Sequence, residues 1–136
     1  MAVTPNSIVT PQAPKSQSAA LSTSANTNYT APTNTTKVMT AGSNGARLTR
    51  LAAIPCATVT ATQIQLFRSP DAGTTKRFVR SALMSAYTMA QTTLCAQTDF
   101  GFSDANPLIL GPSEELYIAV GVGSVQVNVE AEWADY

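Results

Sequence analysis

The side chains that could do acid–base chemistry are few, because the chain contains no histidine. A Ser-His-Asp triad, a Cys-His pair and a histidine-ligated metal therefore cannot be built from these residues. Paired carboxylates remain, since glycosidases work with two acidic residues. Glu130 and Glu132 lie two positions apart on one predicted strand, with Cβ atoms roughly 7 Å apart. Alternating charges on the outer face of a strand are typical of solvation, so we predict no catalytic residues and no enzyme.

Two glycine-containing motifs resemble nucleotide-site sequences but lack the required context. Asp99-Phe100-Gly101 matches the magnesium-binding triplet of protein kinases, yet no glycine-rich loop or catalytic-loop motif accompanies it. The run Ala41 to Arg47 is glycine-rich but lacks the Gly-Lys-Ser/Thr ending of a phosphate-binding loop. No spacing typical of a calcium-binding loop is present. We interpret both motifs as turns and expect neither a cofactor nor a metal.

The two cysteines, Cys56 and Cys95, are too few for the disulfide framework of a small secreted protein, and neither belongs to a C-x-x-C pair. We expect two small buried thiols, with a disulfide between them as the alternative. The first residues lack the positive and apolar regions of a signal peptide, and no apolar run is long enough to cross a bilayer. Synthesis and folding in a reducing cytoplasm are therefore expected, without membrane binding.

The charges sum to zero but are segregated along the chain. All eight bases lie within residues 15–80, together with one acid, Asp71, and the seven other acids lie within residues 99–135. The zero net charge argues against a protein that binds nucleic acid by neutralising phosphates. The segregation has two interpretations. Either Arg47 and Arg50 pair with Glu130 and Glu132 on neighbouring strands, or subunits meet with faces of opposite charge.

Residues 1–36 form a compositional block rich in Ser, Thr, Ala, Asn, Gln and Pro, in which Lys15 is the only charge. So few large apolar residues cannot offset the entropy of ordering the segment, so we predict an extended N-terminal arm with no core of its own. The arm is either a disordered tail or a segment that orders along a partner, with Ile8 and Val9 as anchors. Lys15 and Tyr29 join them as candidate partner contacts, together with Arg47 and Arg50 of the following domain.

Residues 37–136 consist of short apolar runs separated by turn signals, which is typical of an all-β domain. A turn at residues 69–73 should connect two antiparallel strands, because proline presets one backbone angle and Gly73 permits another. The predicted strands cover residues 37–41, 47–54, 58–67, 75–81, 108–110, 116–122 and 125–133.

The strongest pattern lies at the C-terminal end of the chain. Apolar residues alternate along 116–122 and again along 125–133, with Gly123-Ser124 between them. This pattern predicts a hairpin with one buried face and one wet face. Residues 78–90 are ambiguous, because their apolar spacing suits a helix as well as a strand. We favour a strand, since no helix-capping signal precedes them.

About seven strands in roughly 100 residues favour an antiparallel two-sheet sandwich of the jelly-roll type or a small barrel. The motifs ARLTRLAAIPCATVTATQIQLFRSPDAGTTKRFV, NPLILGPSEELYIAVG and VNVEAEWADY, following a Thr/Ala/Pro-rich arm, resemble small capsid decoration or cement proteins of tailed bacteriophages. The resemblance implies a non-enzymatic virion protein on the outer capsid surface that binds the major capsid protein, forms a homotrimer and reinforces the head. The alternative is a phage tail or receptor- and glycan-binding module.

Overall fold

The computed structural model describes residues 10–136, and over this range the chain forms nine β-strands and no helix. The strands are β1 (Ala13–Ala20), β2 (Thr36–Thr40), β3 (Ala46–Pro55), β4 (Thr62–Ser69), β5 (Arg77–Met84), β6 (Thr98–Asp99), β7 (Leu108–Leu110), β8 (Glu115–Val120) and β9 (Val127–Asp135).

The strands form two antiparallel sheets packed face to face. The first sheet has the order β1-β9-β3-β6, with β7 also paired to β3, and the second has the order β2-β8-β4-β5. Counting β6 and β7 as one interrupted strand, this is an eight-stranded jelly roll. The predicted all-β sandwich is confirmed, and the sheets do not close into a barrel.

The core lies between the two inner faces. Along β9 every second residue is buried, from Val127 to Asp135, and the residues between them reach solvent. On β8 the apolar residues Leu116, Ile118 and Val120 are fully buried. Each buried Leu or Ile side chain contributes roughly 1.5–3 kcal/mol relative to an exposed one. The predicted buried face is confirmed along β9 and, as far as Val120, along β8. The predicted wet face is confirmed on β9 but is wrong for β8, where Ala119 on the other face is only 1% exposed.

The predicted hairpin between these two strands is wrong. β8 pairs with β2 and β4, whereas β9 pairs with β1 and β3, so the connection crosses from one sheet to the other. Ser124 has the positive φ expected of a turn, but Val122, predicted to be buried, is 45% exposed. Alternation shows which face of a strand is buried, but it does not show which sheet the strand belongs to, because strands of both sheets bury one face against the shared core.

The ambiguous stretch is a strand over its first half. β5 ends at Met84 and pairs antiparallel with β4, as the turn at residues 69–73 predicted, and Gly73 has a φ of 86°. Residues 85–97 then form an irregular loop, held by an isolated bridge between Val59 and Tyr87. The preference for a strand is confirmed as far as Met84.

The N-terminal segment differs from the prediction of an arm that is disordered or bound to a partner. Strand β1 pairs along its full length with β9 of the same chain. Leu21 joins the core, and Asn26 is only 1% exposed. Composition underestimates this order because an edge strand is held by backbone hydrogen bonds, which need no bulky side chains. Ile8 and Val9 lie outside the described residues.

Candidate interaction surface

The charged residues singled out from the sequence are mostly engaged in ion pairs. The Arg50 guanidinium lies 3.3 Å from a Glu130 carboxylate oxygen and 3.4 Å from one of Glu132. Lys15 pairs at 2.6 Å with Asp135. Arg47 instead donates to the backbone carbonyl of Asp104. The pairing predicted for Arg50 is confirmed and that for Arg47 is wrong, because the register places Arg47 opposite Ala134.

These ion pairs account for the segregation of charge along the chain. Lys37 pairs with Glu115 and Arg68 with Glu114, so each of the ion pairs among residues 10–136 joins a base from the first half to an acid from the second. The jelly-roll topology produces this result, since it places late strands β8 and β9 between early ones. The interpretation of internal pairing is confirmed, and the segregation by itself no longer requires opposite-charged subunit faces.

Two of these carboxylates are buried, Asp135 at 6% exposure and Glu115 at 7%. Glu115 has the larger set of hydrogen-bond partners, and the pKa values of Glu115 and its partner Tyr117 are shifted. It accepts hydrogen bonds from the Tyr117 hydroxyl and from Lys37 at 3.2 Å. The bond from Tyr117, and after it that from Lys37, hold the pKa of Glu115 below its usual value despite burial. Burial first, and then the neighbouring Glu115, raise the pKa of Tyr117 to about 12. Glu115 is therefore ionised and Tyr117 neutral near pH 7, and the ion pair between Lys37 and Glu115 joins β2 to β8.

The motifs considered for catalysis and metal binding have structural roles. Glu130 and Glu132 both contact Arg50, which fits a solvated ion pair. Asp99 accepts a hydrogen bond at 2.6 Å from the backbone of Gly101, whose φ is 85°, so the predicted turn is confirmed. Residues 10–136 contain no group of three acidic or cysteine side chains that could hold a metal ion. None of them forms a helix able to span a membrane.

Lys15 and Arg47 line one groove of about 520 Å³ on the first sheet, opposite each other across β9. Pro11, Asp104 and Glu132 complete its rim. Arg47 Nε is buried there without a hydrogen-bond partner among the described residues. The structure thus brings together two of the predicted contact residues, in a groove where cations and carboxylates alternate.

Residues 26–33 lie over part of the outer face of the second sheet, and we call them the overlying segment. The Asn26 side chain donates to Gln65 Oε1 at 2.8 Å, and Gln65 Nε2 donates back to the Asn26 carbonyl at 3.2 Å. The Tyr29 hydroxyl donates to Gln63, the next outward residue on β4. Asn26 and Gln65 are nearly inaccessible to solvent. The overlying segment is therefore an integral layer of the fold, which its polar composition did not reveal.

Beyond the overlying segment, exposed apolar side chains collect along edge strand β5. Phe78 and Leu83 project from the same face, since the register aligns them with Phe67 and Gln63 of β4. The Tyr29 ring packs on Phe78 with ring centroids 4.5 Å apart. Tyr29 is 42% exposed, Phe78 41% and Leu83 72%. We call these three side chains the β5 surface.

Three cations lie on or just before β5. Lys76 is on the side of the sheet that carries the β5 surface, whereas Arg77 and Arg80 align with Arg68 and Leu66 of β4 and project to the other side. Lys76, Arg77 and Arg80 have no carboxylate within ion-pair distance among the described residues. Lys76 lies over the Tyr117 ring, and Arg80 donates to the Phe100 carbonyl at 3.1 Å. The apolar spacing of residues 78–90 did not show that Phe78 is exposed. The basic residues interleaved with it are the signal that could have indicated an exposed edge strand, since edges are commonly charged.

A second groove, of about 510 Å³, lies beside this surface. Residues 30–33 of the overlying segment form one wall and residues 74–76 the other. Four threonines, Ala31, Pro32 and Lys76 line it. Tyr29 immediately precedes one wall and Phe78 follows the other by two residues. The groove therefore combines hydroxyl groups with a neighbouring aromatic pair.

The order of the strands in the two sheets defines the fold as a jelly-roll β-sandwich. No protein-family model matches the chain, and no curated protein matches it. Among solved structures, the chain is similar to the structure of Eiger TNF from S. frugiperda, at 10% sequence identity and a TM-score of 0.45. The match covers 93% of this chain and 96% of that one.

Proposed function

We propose that this chain is a non-enzymatic structural protein of a bacteriophage virion, which binds the major capsid protein on the outer surface of the head and reinforces it. The observation that carries the proposal is the β5 surface, where Tyr29, Phe78 and Leu83 expose apolar area on an edge strand. Exposed apolar clusters commonly mark sites of protein–protein contact. The choice of the major capsid protein as the partner rests on the resemblance of the sequence to capsid decoration proteins.

The charges around the β5 surface specify the chemistry of the partner. Lys76 on the same side of the sheet, and Arg77 and Arg80 on the other side of this edge strand, have no acidic partners in residues 10–136, so a capsid surface with an apolar patch and carboxylates around the strand edge would complement it. Most other charges are already neutralised within the fold. The remaining surface is rich in Thr and Ser, which lose their hydration more easily than charged groups on contact.

Reinforcement of a shell does not require tight individual contacts. Identical contacts repeat around a capsid, and if the protein is a homotrimer, as the decoration proteins it resembles commonly are, each trimer engages several capsid subunits at once. Linked binding events raise the overall affinity by roughly 10²–10⁴ over a single contact. A small apolar surface such as that of β5 is then sufficient.

Co-sedimentation with capsids that lack this protein tests the proposal. Leu83→Glu places a charge on the β5 surface, and Leu94→Glu places the same charge on the loop at residues 85–97, where Leu94 is 92% exposed. We expect the wild type and Leu94→Glu to bind the shells and Leu83→Glu to lose at least tenfold in affinity. If the wild type fails to sediment with shells, or if both variants bind alike, the proposal is wrong.

A truncation tests the predicted contribution of Ile8 and Val9. Removing residues 1–36 would delete β1 and the overlying segment, so the variant should begin at residue 10 and retain every described strand. If these residues are anchors, as predicted, the truncated protein binds capsids more weakly while its unfolding midpoint is unchanged. Unchanged binding would remove them from the contact.

The alternative, a tail component or a receptor- and glycan-binding module, is favoured by the groove between residues 30–33 and 74–76. Threonine hydroxyls can hydrogen-bond to sugar hydroxyls, and the Tyr29–Phe78 pair offers a ring face nearby. A glycan array distinguishes the two functions. Binding to one class of glycan that Tyr29→Ala abolishes, without binding to capsids, would support the module and refute the decoration role.

A further inference from the structure

The two cysteines lie just beyond the same end of a β-ladder. Cys56 directly follows β3, and Cys95 lies three residues before Thr98 in β6. These strands pair antiparallel, with Ala53 opposite Thr98. Continuing that register by three residues places Cys56 opposite Cys95.

The hydrogen bonding of β3 with β6 shows which type of antiparallel pair the ladder would form at the two cysteines. The Phe100 amide donates to the Leu51 carbonyl at 3.0 Å, so residues 51 and 100 form a hydrogen-bonded pair. The pair types alternate along an antiparallel ladder, so in a regular continuation Cys56 and Cys95 would be a non-hydrogen-bonded pair with Cα atoms about 4.5 Å apart. Residues 94–97 are irregular, so this spacing is the reference geometry from which the loop departs. Disulfides require Cα separations of about 4.4–6.8 Å.

A direct contact supports this placement. The Cys95 Sγ lies 3.1 Å from the Pro55 carbonyl oxygen, in the peptide unit that links Pro55 to Cys56. From standard peptide geometry, that oxygen lies close to the Cys56 Cα, which puts the Cys95 Sγ within about 6 Å of it. The two sulfur atoms can therefore meet after a rotation of the side chains and a small shift of the loop.

Exposure makes the pair accessible to reagents. Both cysteines are free thiols; Cys56 is exposed and Cys95 is half-buried, so the prediction of two buried thiols was wrong. Cys95 lies near the end of the loop at residues 85–97. Backbone hydrogen bonds between Val59 and Tyr87 hold the other end of this loop, and the Met89 amide donates to Thr58 Oγ1. A link at Cys95 would fasten the loop at both ends.

We propose that Cys56 and Cys95 form a redox-responsive pair, which a small-molecule disulfide oxidises to an intramolecular disulfide that fastens the 85–97 loop to the end of β3. One cysteine thiolate attacks the oxidant, forms a mixed disulfide and releases one small thiolate. The second cysteine thiolate then attacks the protein sulfur of that mixed disulfide and releases the other. The two cysteines lose two electrons to the oxidant, and their two protons end on the two small thiols. This pair is independent of the proposed function.

The test incubates the reduced full-length protein with oxidised glutathione and maps its tryptic peptides without reduction. Cys56 lies in the peptide of residues 51–68 and Cys95 in that of residues 81–136. We expect a monomer that has lost both free thiols and two hydrogens in mass, with these two peptides linked. Cys56→Ser and Cys95→Ser are matched controls and should stop at a single glutathione adduct. Two stable adducts on the wild type, or only dimers linked between chains, would overturn the proposal.

A second measurement separates pairing by the fold from pairing by chance collision. The ratio of intramolecular disulfide to mixed disulfide is measured at fixed glutathione, in buffer and in a denaturing concentration of urea. The ladder geometry predicts a ratio at least tenfold higher in the folded protein, because the fold holds the thiols at a high effective concentration. An equal or lower ratio in buffer would show that the native structure keeps the sulfurs apart, and the proposal would fail.

Discussion

Replacing Asn26 by alanine tests whether the overlying segment belongs to the folded structure. The Asn26 side chain donates to Gln65 Oε1 at 2.8 Å and to the Asn28 carbonyl at 3.1 Å, and its own oxygen accepts from the Thr33 amide at 3.0 Å. Alanine removes these three bonds, together with a longer one from the Asn28 amide at 3.4 Å, and leaves the Gln65 oxygen without this donor. Gln65 is 2% exposed, so bulk water has little access to replace it.

The size of the effect follows from these contacts. A buried polar group left without its partner costs about 1–3 kcal/mol, and a bond that water can replace costs less, at about 0.5–1.5 kcal/mol. Gln65 belongs to the first kind, and the bonds to Asn28 and Thr33, at the partly exposed side of the segment, belong to the second. We expect Asn26→Ala to lower the free energy of unfolding by about 2–4 kcal/mol.

Urea unfolding followed by far-ultraviolet circular dichroism measures this loss. With a dependence of about 2 kcal/mol per molar urea, the midpoint should fall by about 1–2 M. Asn28→Ala is the matched control. The side-chain oxygen of Asn28 also accepts backbone hydrogen bonds, from Thr30 and Ala31, but these bonds are exposed. Asn28→Ala should therefore lower the free energy of unfolding by about 1 kcal/mol or less.

Two results would refute this reasoning. Equal midpoints for Asn26→Ala and Asn28→Ala would mean that burial does not set the cost. A loss below about 0.5 kcal/mol would mean that the overlying segment is not held by this network. A double-mutant cycle with Gln65→Ala gives a further check, because contacting residues should couple by about 0.5 kcal/mol or more.

Four further predictions concern the core and the charges. Because its folded pKa is lowered, Glu115 contributes stability that is present above its ordinary pKa of 4.5 and lost as the pH falls through its folded value. Urea unfolding at pH 7 and pH 3 should therefore show the difference between the wild type and Glu115→Gln shrinking at the lower pH; a constant difference would contradict the assignment. Absorbance titration should show one phenol ionising near pH 12 that Tyr117→Phe removes, and an unchanged curve would exclude Tyr117 as its source. Leu66→Ala, at a fully buried position, should cost about 2–5 kcal/mol in urea unfolding, and a loss below about 1 kcal/mol would mean that the position is not core. Arg50→Ala should cost at most about 1 kcal/mol, because its ion pairs are exposed; a larger loss would show that the charge pairing supports the fold more strongly than its exposure implies.

Local pattern predicted the faces of the strands better than their partners. Every second residue of β9 is buried, as the alternation indicated, because a pleated strand presents its side chains to opposite sides. The predicted partner of β9 was β8, yet β9 lies between β1 and β3. Alternation contains no information about which strand supplies the neighbouring backbone.

Some of the candidate contact residues could be predicted from the sequence, and others could not. Arg50 was predicted to pair with Glu130 and Glu132 on a neighbouring strand, and the structure places them together. Phe78 and Leu83 were not recognised as a surface, because exposure at a sheet edge depends on what covers the strand. The overlying segment reaches Phe78 through Tyr29 but leaves much of both aromatic rings exposed.

The amino-acid sequence by itself determined the all-β class, most of the strands, their buried faces and the absence of histidine chemistry, since these depend on residue type and on periods of two along the chain. The tertiary structure alone decided the strand order, the pairing of early bases with late acids, the place of residues 13–35 within the fold and the contact of Cys95 with the end of β3. Each of these requires segments distant in the chain to become neighbours. Their backbone hydrogen bonds and side-chain contacts exist only after the two sheets have formed.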